Sequence, residues 1–284
     1  MSSAALIIEH TKNKLARIGE WVADQGYTAY TTQSGIQGIE LARTRSPDLI
    51  VLDLVLSDLQ GAAVCESLKL GEETNLIPVV MITPEGEHDD LERGLRVGAD
   101  AYVPIGTARE ALYRAIEEAL DRTRSTVRAG HCGEVRFDFR SDVHCLKEVH
   151  RKITELFTRS ALSEKEVREM GQAVLEMGMN AIEWGNRGNL ELLVNMAYCF
   201  NQEKVQLTVR DQGPGFDPRN LPHAAKDEDP VAHMLVRETL GLREGGFGIM
   251  LAKGMVDSVR YNERGNEVTL VKFFNNEGSG GEDR

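Results

Sequence analysis

The sequence predicts a two-part chain: an α/β unit built as (βα)5 around a parallel sheet, followed by an α+β two-layer sandwich. Three observations carry that expectation. In the first 125 residues short apolar runs alternate with helical patterns. Runs such as Leu49-Ile-Val-Leu52 and Val79-Val-Met-Ile82 are apolar on both faces, as central strands of a helix-covered parallel sheet must be. Beyond residue 133 the alternation gives way to grouped helices and antiparallel-looking strands. A chain of 284 residues is long enough for two such domains, each with its own core.

The elements run in order along the chain. Leu6-Ile-Ile8 reads as the first strand, Lys12 to Gln25 as a helix, Tyr27 to Thr31 as a strand and Ser34 to Arg45 as a helix. Asp48 to Asp53, Gly61 to Leu70 and Pro78 to Thr83 continue the pattern, then Glu87 to Val97 (helix), Ala101 to Val103 (strand) and Ala108 to Arg124 (helix). Ser46-Pro47, Gly71, Gly98 and Thr83-Pro84-Glu-Gly86 mark turns between them. Function in an open parallel sheet gathers at the carboxyl ends of the strands, which here carry Glu9, His10, Asp53 and Thr83. The predicted boundaries are a first domain over 1–125, a linker over 126–133, a second domain over 134–274 and a disordered tail over 275–284. In the second domain Glu134 to Phe139 is expected as a strand, Val143 to Phe157 and Ser163 to Trp184 as helices, and Leu190 to Met196 and Lys204 to Arg210 as strands. Gly246 to Met255 (helix) and Glu267 to Phe274 (strand) complete it.

Composition narrows the function classes. The formal charge of −12 is split between −8 in residues 1–125, with 12 basic and 20 acidic side chains, and −4 in the rest. No Lys/Arg-rich face emerges to displace phosphate counterions, so direct nucleic-acid binding is not expected. No apolar run is long enough to cross a bilayer, and the start lacks a basic n-region. Cys65, Cys132, Cys145 and Cys199 are scattered without C-x-x-C pairing, which points away from zinc and disulfides and towards a reducing cytoplasm.

Three segments of the second half carry nucleotide chemistry. In Glu176-Met-Gly-Met-Asn180-Ala-Ile-Glu183, residues 176 and 180 share a helix face and Glu183 lies one turn beyond Asn180. A neutral amide oxygen ligates Mg²⁺ beside a triphosphate without adding charge, and a neighbouring carboxylate can activate a hydroxyl for attack on the γ-phosphate. In Asp211-Gln-Gly213-Pro-Gly215-Phe216 a strand-end carboxylate can accept from the exocyclic amine of adenine, where guanine presents a carbonyl, and the glycines let backbone pass close to the base. In Gly245-Gly246-Phe247-Gly248 a glycine-rich loop opens onto a helix and offers backbone N–H groups to phosphate.

In this order and spacing the three segments resemble the N, G1 and G2 boxes of the GHKL (Bergerat-fold) ATPases, and among them the anti-sigma-factor serine kinases, over roughly residues 134 to 274. The run Phe139-Arg-Ser-Asp-Val-His-Cys-Leu-Lys147 and the ending Asn266-Glu-Val-Thr-Leu-Val-Lys272 support that branch. The resemblance implies ATP and Mg²⁺ as cofactors, Glu176 as catalytic base, Asn180 as Mg²⁺ ligand, Asp211 as the adenine-binding carboxylate, and Gly213, Gly215, Gly245, Gly246 and Gly248 as nucleotide loops, with Glu183 at the same site. It also implies a protein partner, either a small antagonist phosphorylated on Ser or Thr or a sigma factor bound in the alternative state, and a homodimer. Trp184 stands where many relatives have His. The segment Asp217 to Glu244 is longer than the family's ATP lid, and its Arg237 and Arg243 are candidates for touching the γ-phosphate.

The first half, with Pro47-Asp-Leu-Ile-Val-Leu-Asp53, resembles the receiver domain of two-component response regulators over residues 4 to 124. The resemblance implies Asp53 as phosphoacceptor, Thr83 and Tyr102 as switch residues, Glu9 and Asp53 as Mg²⁺ ligands, and an upstream histidine kinase. Two positions depart from it: the acidic pair after the first strand reads Glu9-His10, and the Lys-Pro after the last strand reads Ile105-Gly106. Losing that cation and one carboxylate weakens a hard-cation phosphoryl site. Two readings stay open, a slow phosphoacceptor and a phosphorylation-independent binding module. The whole chain is expected to be a cytoplasmic signalling protein whose receiver-like half regulates a Ser/Thr-kinase-like half; the alternative is a catalytically silent ATP-binding adaptor that sequesters its partner. A histidine kinase is not expected, because no helical hairpin with a phosphorylatable His precedes the ATP domain, and His144 and His150 sit in its first helix.

Overall fold

Every second side chain of the first sheet faces the opposite way, and both faces are apolar, so both must be covered. The computed structural model describes residues 3–83, 95–104, 106, 108–216 and 248–274. Strands β1 (Ala4–Ile8), β2 (Thr28–Thr32), β3 (Leu49–Asp53), β4 (Val79–Thr83) and β6 (Ala101–Pro104) form a parallel sheet in the order β2-β1-β3-β4-β6. Helices α1 (Lys12–Asp24) and α4 (Arg109–Arg128) cover one face, burying Ile18, Val22, Leu112 and Ile116 against Ile7, Val51 and Val80. Helices α2 (Gly35–Arg45) and α3 (Gly61–Leu70) cover the other, burying Ala42, Val64 and Leu68 against Ile8, Leu52 and Met81. The expected five-stranded parallel sheet with helices on both faces is therefore present, and its order reverses between β1 and β3. Ile8 pairs with Leu52 in that register, which leaves Glu9 and Asp53 side by side at the carboxyl ends.

One expected element differs. Of the helix predicted over Glu87 to Val97, residues 84–94 lie outside the described residues, and Leu95–Val97 is a strand, β5. Its backbone has a strand partner: the N–H of Gly98 donates to Arg136 O at 2.8 Å. Pairing of this kind overrides a helical pattern that spans only a few turns.

The chain divides into two compact units, Met1–Phe137 and Asp138–Arg284. The second sheet orders its strands β10 (Ser258–Tyr261), β11 (Glu267–Phe273), β9 (Lys204–Asp211), β8 (Leu193–Phe200), β7 (Gly133–Arg140), with β5 beyond β7; β5 and the first residues of β7 both belong to the first unit. The β10/β11, β11/β9 and β8/β9 pairings are antiparallel. Strands β7, β8 and β9 alternate buried and half-exposed residues, the signature of a sheet covered on one face. Helices α5 (Val143–Thr158), α6 (Glu164–Asn180) and α7 (Gly248–Met255) supply the apolar side chains; Phe157 of α5 meets Tyr198 of β8 edge-to-face, centroids 5.6 Å apart. A capping box starts α6: Ser163 Oγ accepts from the Glu166 N–H, and Glu166 accepts from the Ser163 N–H at 2.8 Å. Strand β8 starts three residues later than the pattern suggests, because Asn186 and Asn189 tie the backbone of 189–193 into a turn. Strand β10 is too short to have carried a periodic signal.

One buried ion pair joins three segments of the first unit. Lys69 Nζ lies 2.6 Å from Asp100 Oδ2 and also donates to the carbonyls of Asn75 and Ile77, while Asp100 accepts from the Val79 N–H at 2.8 Å. Lys69 is 3% exposed. Replacing Asp100 by Ala strands a buried ammonium and is expected to cost about 3–5 kcal/mol of stability, whereas an apolar replacement of both partners costs far less. Urea unfolding of the single and double variants checks this; equal losses in the two would contradict it.

Candidate functional site

In the second unit, α6 presents Glu176 and Asn180 on one face, as their spacing requires. Gln172, one turn earlier, donates to Glu176 Oε1 at 2.9 Å and orients the carboxylate. Gly248, the first residue of α7, lies against both side chains: a Cβ placed there would sit 2.7 Å from Glu176 Oε2 and 3.5 Å from Asn180 Nδ2. A side chain at 248 would displace the Glu176 carboxylate from this position. Gly245 and Gly246, with Arg237, Arg243 and the Asp217 to Glu244 segment, lie outside the described residues. Glu183 does not continue the α-helical face of Asn180. It sits in a π turn, Ala181–Gly185, which closes with the Asn186 N–H donating to Ala181 O at 2.8 Å.

The π turn brings the helix end onto the end of β9. Asp211, 9% exposed, tucks its carboxylate against Gly185, where any Cβ would collide with it. A Cβ at Gly213 would in turn run into the Gly185 carbonyl. The Asp211 carboxylate accepts from the Gly213 N–H at 2.8 Å. Burial pushes its pKa up, and the Gly213 hydrogen bond and the Arg264 cation oppose that push without cancelling it. Gly215 has φ +79°, in the left-handed region, and its neighbour Phe216 pairs with Arg264 O and packs edge-to-face on Tyr261. The three sequence segments therefore converge as far as they are described: Gly248 on Glu176 and Asn180, and Gly185 on Asp211 and Gly213.

Side chains that carry no motif in the sequence hold this arrangement. Buried Asn186 donates to Ser141 Oγ at 2.7 Å and Leu193 O at 2.9 Å, and accepts from the Gln212 N–H at 2.8 Å. Asn266 donates to Asp211 O at 2.9 Å, and Arg264 to Gly213 O at 3.0 Å. The available signal was the Asn that comes after each glycine, Gly185-Asn186 and Gly265-Asn266, since an amide both donates and accepts to turning backbone. His150 is a packing residue: its Nε2 lies 3.1 Å from Gly171 O, and burial lowers its pKa.

In the first unit Glu9, His10 and Asp53 meet at the carboxyl end of the sheet. His10 Nδ1 is 3.1 Å from Asp53 Oδ2 and 3.4 Å from Glu9 Oε1. Glu9 accepts from the Thr11 N–H at 2.8 Å, and Asp53 from the Val55 N–H at 3.2 Å. Burial raises the Glu9 pKa, and the nearby Asp53 adds to the rise. Thr83 ends β4 beside β3, and Tyr102 on β6 accepts the Ala99 N–H at 3.3 Å on the α2/α3 face. Ile105 lies outside the described residues, and Gly106 has φ +85°. Lys14 and Arg17 of α1 line one cavity with Glu9, Pro104 and Gly106, so positive charge reaches this end of the sheet from a helix that carries no receiver motif.

Comparison with known proteins matches each unit separately. Residues 5–117 match the response regulator receiver domain family, and residues 139–272 match the histidine kinase-like ATPase domain family. Among curated relatives, the polar-differentiation response regulator DivK of Brucella ovis is 32% identical over 111 residues, 38% of this chain and 90% of that protein. The phosphate regulon transcriptional regulatory protein PhoB of Rhizobium meliloti is 30% identical over 134 residues, 46% of this chain and 57% of that protein. A CheY-like receiver domain protein from Methanospirillum hungatei is 20% identical, with 44% of this chain and 98% of that one aligned at a TM-score of 0.38. No described helix is long and apolar enough to cross a membrane.

The raised pKa of Asp211 sets a pH dependence. A carboxyl whose folded pKa lies above its ordinary 3.8 adds stability while protonated and loses that contribution as pH rises through the folded value. Asp211→Asn keeps the shape without the charge. It is expected to melt above the wild type at neutral pH, with the gap closing as pH falls into the carboxylate range. Thermal melts across that range check it; a gap that does not change with pH would contradict the buried-charge account.

Proposed function

Because the chain belongs to the response regulators and joins their receiver domain to a histidine kinase-like ATPase domain, we propose that it is a signalling protein whose receiver half regulates an ATP-dependent serine/threonine kinase half. The observation that carries the kinase reading is the packing of Gly248 on Glu176 and Asn180, with Asp211 set on the glycine backbone at the other end of the π turn. The substrate is a small regulatory protein of the anti-sigma antagonist kind, with a sigma factor as the partner of the alternative state. The setting is cytoplasmic, the input comes from an upstream histidine kinase or a docking protein, and two copies pair.

The site residues fit that chemistry. Asp211 offers an acceptor to the exocyclic amine of adenine, held in place where Gly213 packs on the Gly185 carbonyl and Gly215 on the Arg264 carbonyl. Asn180 offers a neutral oxygen to Mg²⁺, and the donor set suits that ion, since a neutral amide stands one turn from a carboxylate. Mg²⁺, when bound, supplies charge neutralisation to the phosphates. Glu176, oriented by Gln172, takes the proton of the target hydroxyl as its oxygen bonds to the γ-phosphorus and the bond to ADP breaks. Backbone N–H groups in the first turn of α7 would serve as donors to phosphate oxygens.

Isothermal titration is expected to show wild-type protein binding ATP in preference to GTP. Asp211→Asn loses about tenfold or more in ATP affinity, the worth of a hydrogen bond to a charged acceptor. Glu176→Ala keeps ATP binding but loses about 10²–10⁴ in phosphoryl transfer to Ser or Thr. A wild type without adenine nucleotide affinity removes the proposal at its base. Unchanged control of the partner by Glu176→Ala replaces the kinase by a silent ATP-binding adaptor.

A further inference from the structure

The receiver-type site has the wrong donors for the ion its family leads one to expect. Mg²⁺ takes oxygen ligands in near-octahedral geometry and parts with its water reluctantly. Here the second acidic position is His10, whose Nδ1 points at Glu9 Oε1 and Asp53 Oδ2. An imidazole nitrogen with two carboxylates is a borderline donor set, suited to divalent ions of the later first transition row.

We propose that Glu9, His10 and Asp53 form a site for a divalent transition-metal ion of the Zn²⁺ class rather than for Mg²⁺. Three observations carry it. The first is spacing. Ligand atoms bound at about 2.1 Å lie roughly 3.0 Å apart in an octahedron and roughly 3.4 Å apart in a tetrahedron, and the contacts from His10 Nδ1 measure 3.1 and 3.4 Å. The ligand atoms all lie within 4.8 Å of one another. The second is an orphan: Glu9 is 1% exposed, and its Oε2 has no hydrogen-bond partner among the described residues. A buried carboxylate oxygen left without a donor is costly unless a cation meets it. The third is the outer partner of the imidazole. His10 Nε2 lies 3.1 Å from Thr11 Oγ1. In the tautomer that donates from Nε2 to that hydroxyl, the lone pair of Nδ1 faces the two carboxylates, and three acceptors facing one another call for a cation between them; in the other tautomer Nδ1–H donates to Asp53 Oδ2.

That positive charge is a metal ion, a proton on Nδ1, or a proton held between the Glu9 and Asp53 carboxyls. His10, with its side chain 38% exposed, gives an ion a path from solvent. An ion held on Asp53 Oδ2 sits on the carboxylate that would receive a phosphoryl group, and competes with Mg²⁺ for it. The receiver half then responds to metal supply, and this holds whether or not the second unit is a kinase.

The test uses the full chain, stripped with a chelator and free of nucleotide. Zn²⁺ is titrated in competition with a chromophoric chelator, Co²⁺ is followed by its d–d absorption, and Mg²⁺ by the fluorescence of Trp21, which lines the cavity beside Glu9. The wild type is expected to bind one Zn²⁺ or Co²⁺ at this site at least about 100-fold more tightly than Mg²⁺. His10→Ala loses about 100-fold in Zn²⁺ affinity, His10→Asp reverses the preference towards Mg²⁺, and Thr11→Val, which leaves all three ligands in place, loses about 10-fold. Circular dichroism confirms that each variant is folded. A wild type that binds Zn²⁺ no better than Mg²⁺ overturns the proposal and leaves a proton, on Nδ1 or between the two carboxyls, in place of the ion. A His10→Ala protein that keeps wild-type Zn²⁺ affinity overturns it too, because the ion then sits elsewhere.

Discussion

Burying a carboxylate at the end of a strand is unfavourable unless the backbone around it turns to meet it, and the second unit is organised around doing so at Asp211. The Gly213 N–H reaches the carboxylate directly. Gly185 and Gly213 give up their side chains so that helix end and strand end can touch. Asn186 and Asn266 then satisfy the backbone groups which that close approach leaves in turns. The same fixed point lets α6 and α7 meet at Gly248, because the end of α6 is anchored to β9 through the π turn.

The first unit solves a comparable problem differently. Its acidic end holds two buried carboxylates, Glu9 and Asp53, and a half-exposed imidazole. Its buried cation, Lys69, is committed far from them, to Asp100 and two carbonyls. Within one sheet, then, one buried carboxylate is matched by a buried lysine, and two others share a half-exposed imidazole.

Much of this was legible in the sequence because it rests on local pattern. Apolar runs without alternation gave β3 and β4, and their parity explains the two faces of core. Three spaced segments marked Glu176, Asn180 and Gly248, which lie against one another, and Asp211, which lies against Gly185. The features that were not legible depend on partners distant in the chain. Leu95–Val97 is extended because of Arg136, the start of β8 is moved by Asn186, and the outward step at Glu183 comes from a closing bond to Ala181. His10 read as a departure from a pattern, and only its approach to Asp53 shows the chemistry it departs towards. Local propensity fixes elements well and their ends poorly, and in this protein much of the chemistry sits at the ends.

The π turn at Ala181–Gly185 has an evolutionary consequence. Such a turn is an α-helix carrying one residue too many, and each added helical residue rotates the rest of the chain by about 100° about the helix axis. Losing one residue between 181 and 185 would restore a regular helix and swing Gly185 and Asn186 off Asp211, although no chemically important side chain had been deleted. The segment is therefore expected to be intolerant of length change, and of any side chain at Gly185, where a Cβ would meet the Asp211 carboxylate. Lineages descended from this protein should keep five residues there, with glycine at the last, even after the exposed letters have drifted.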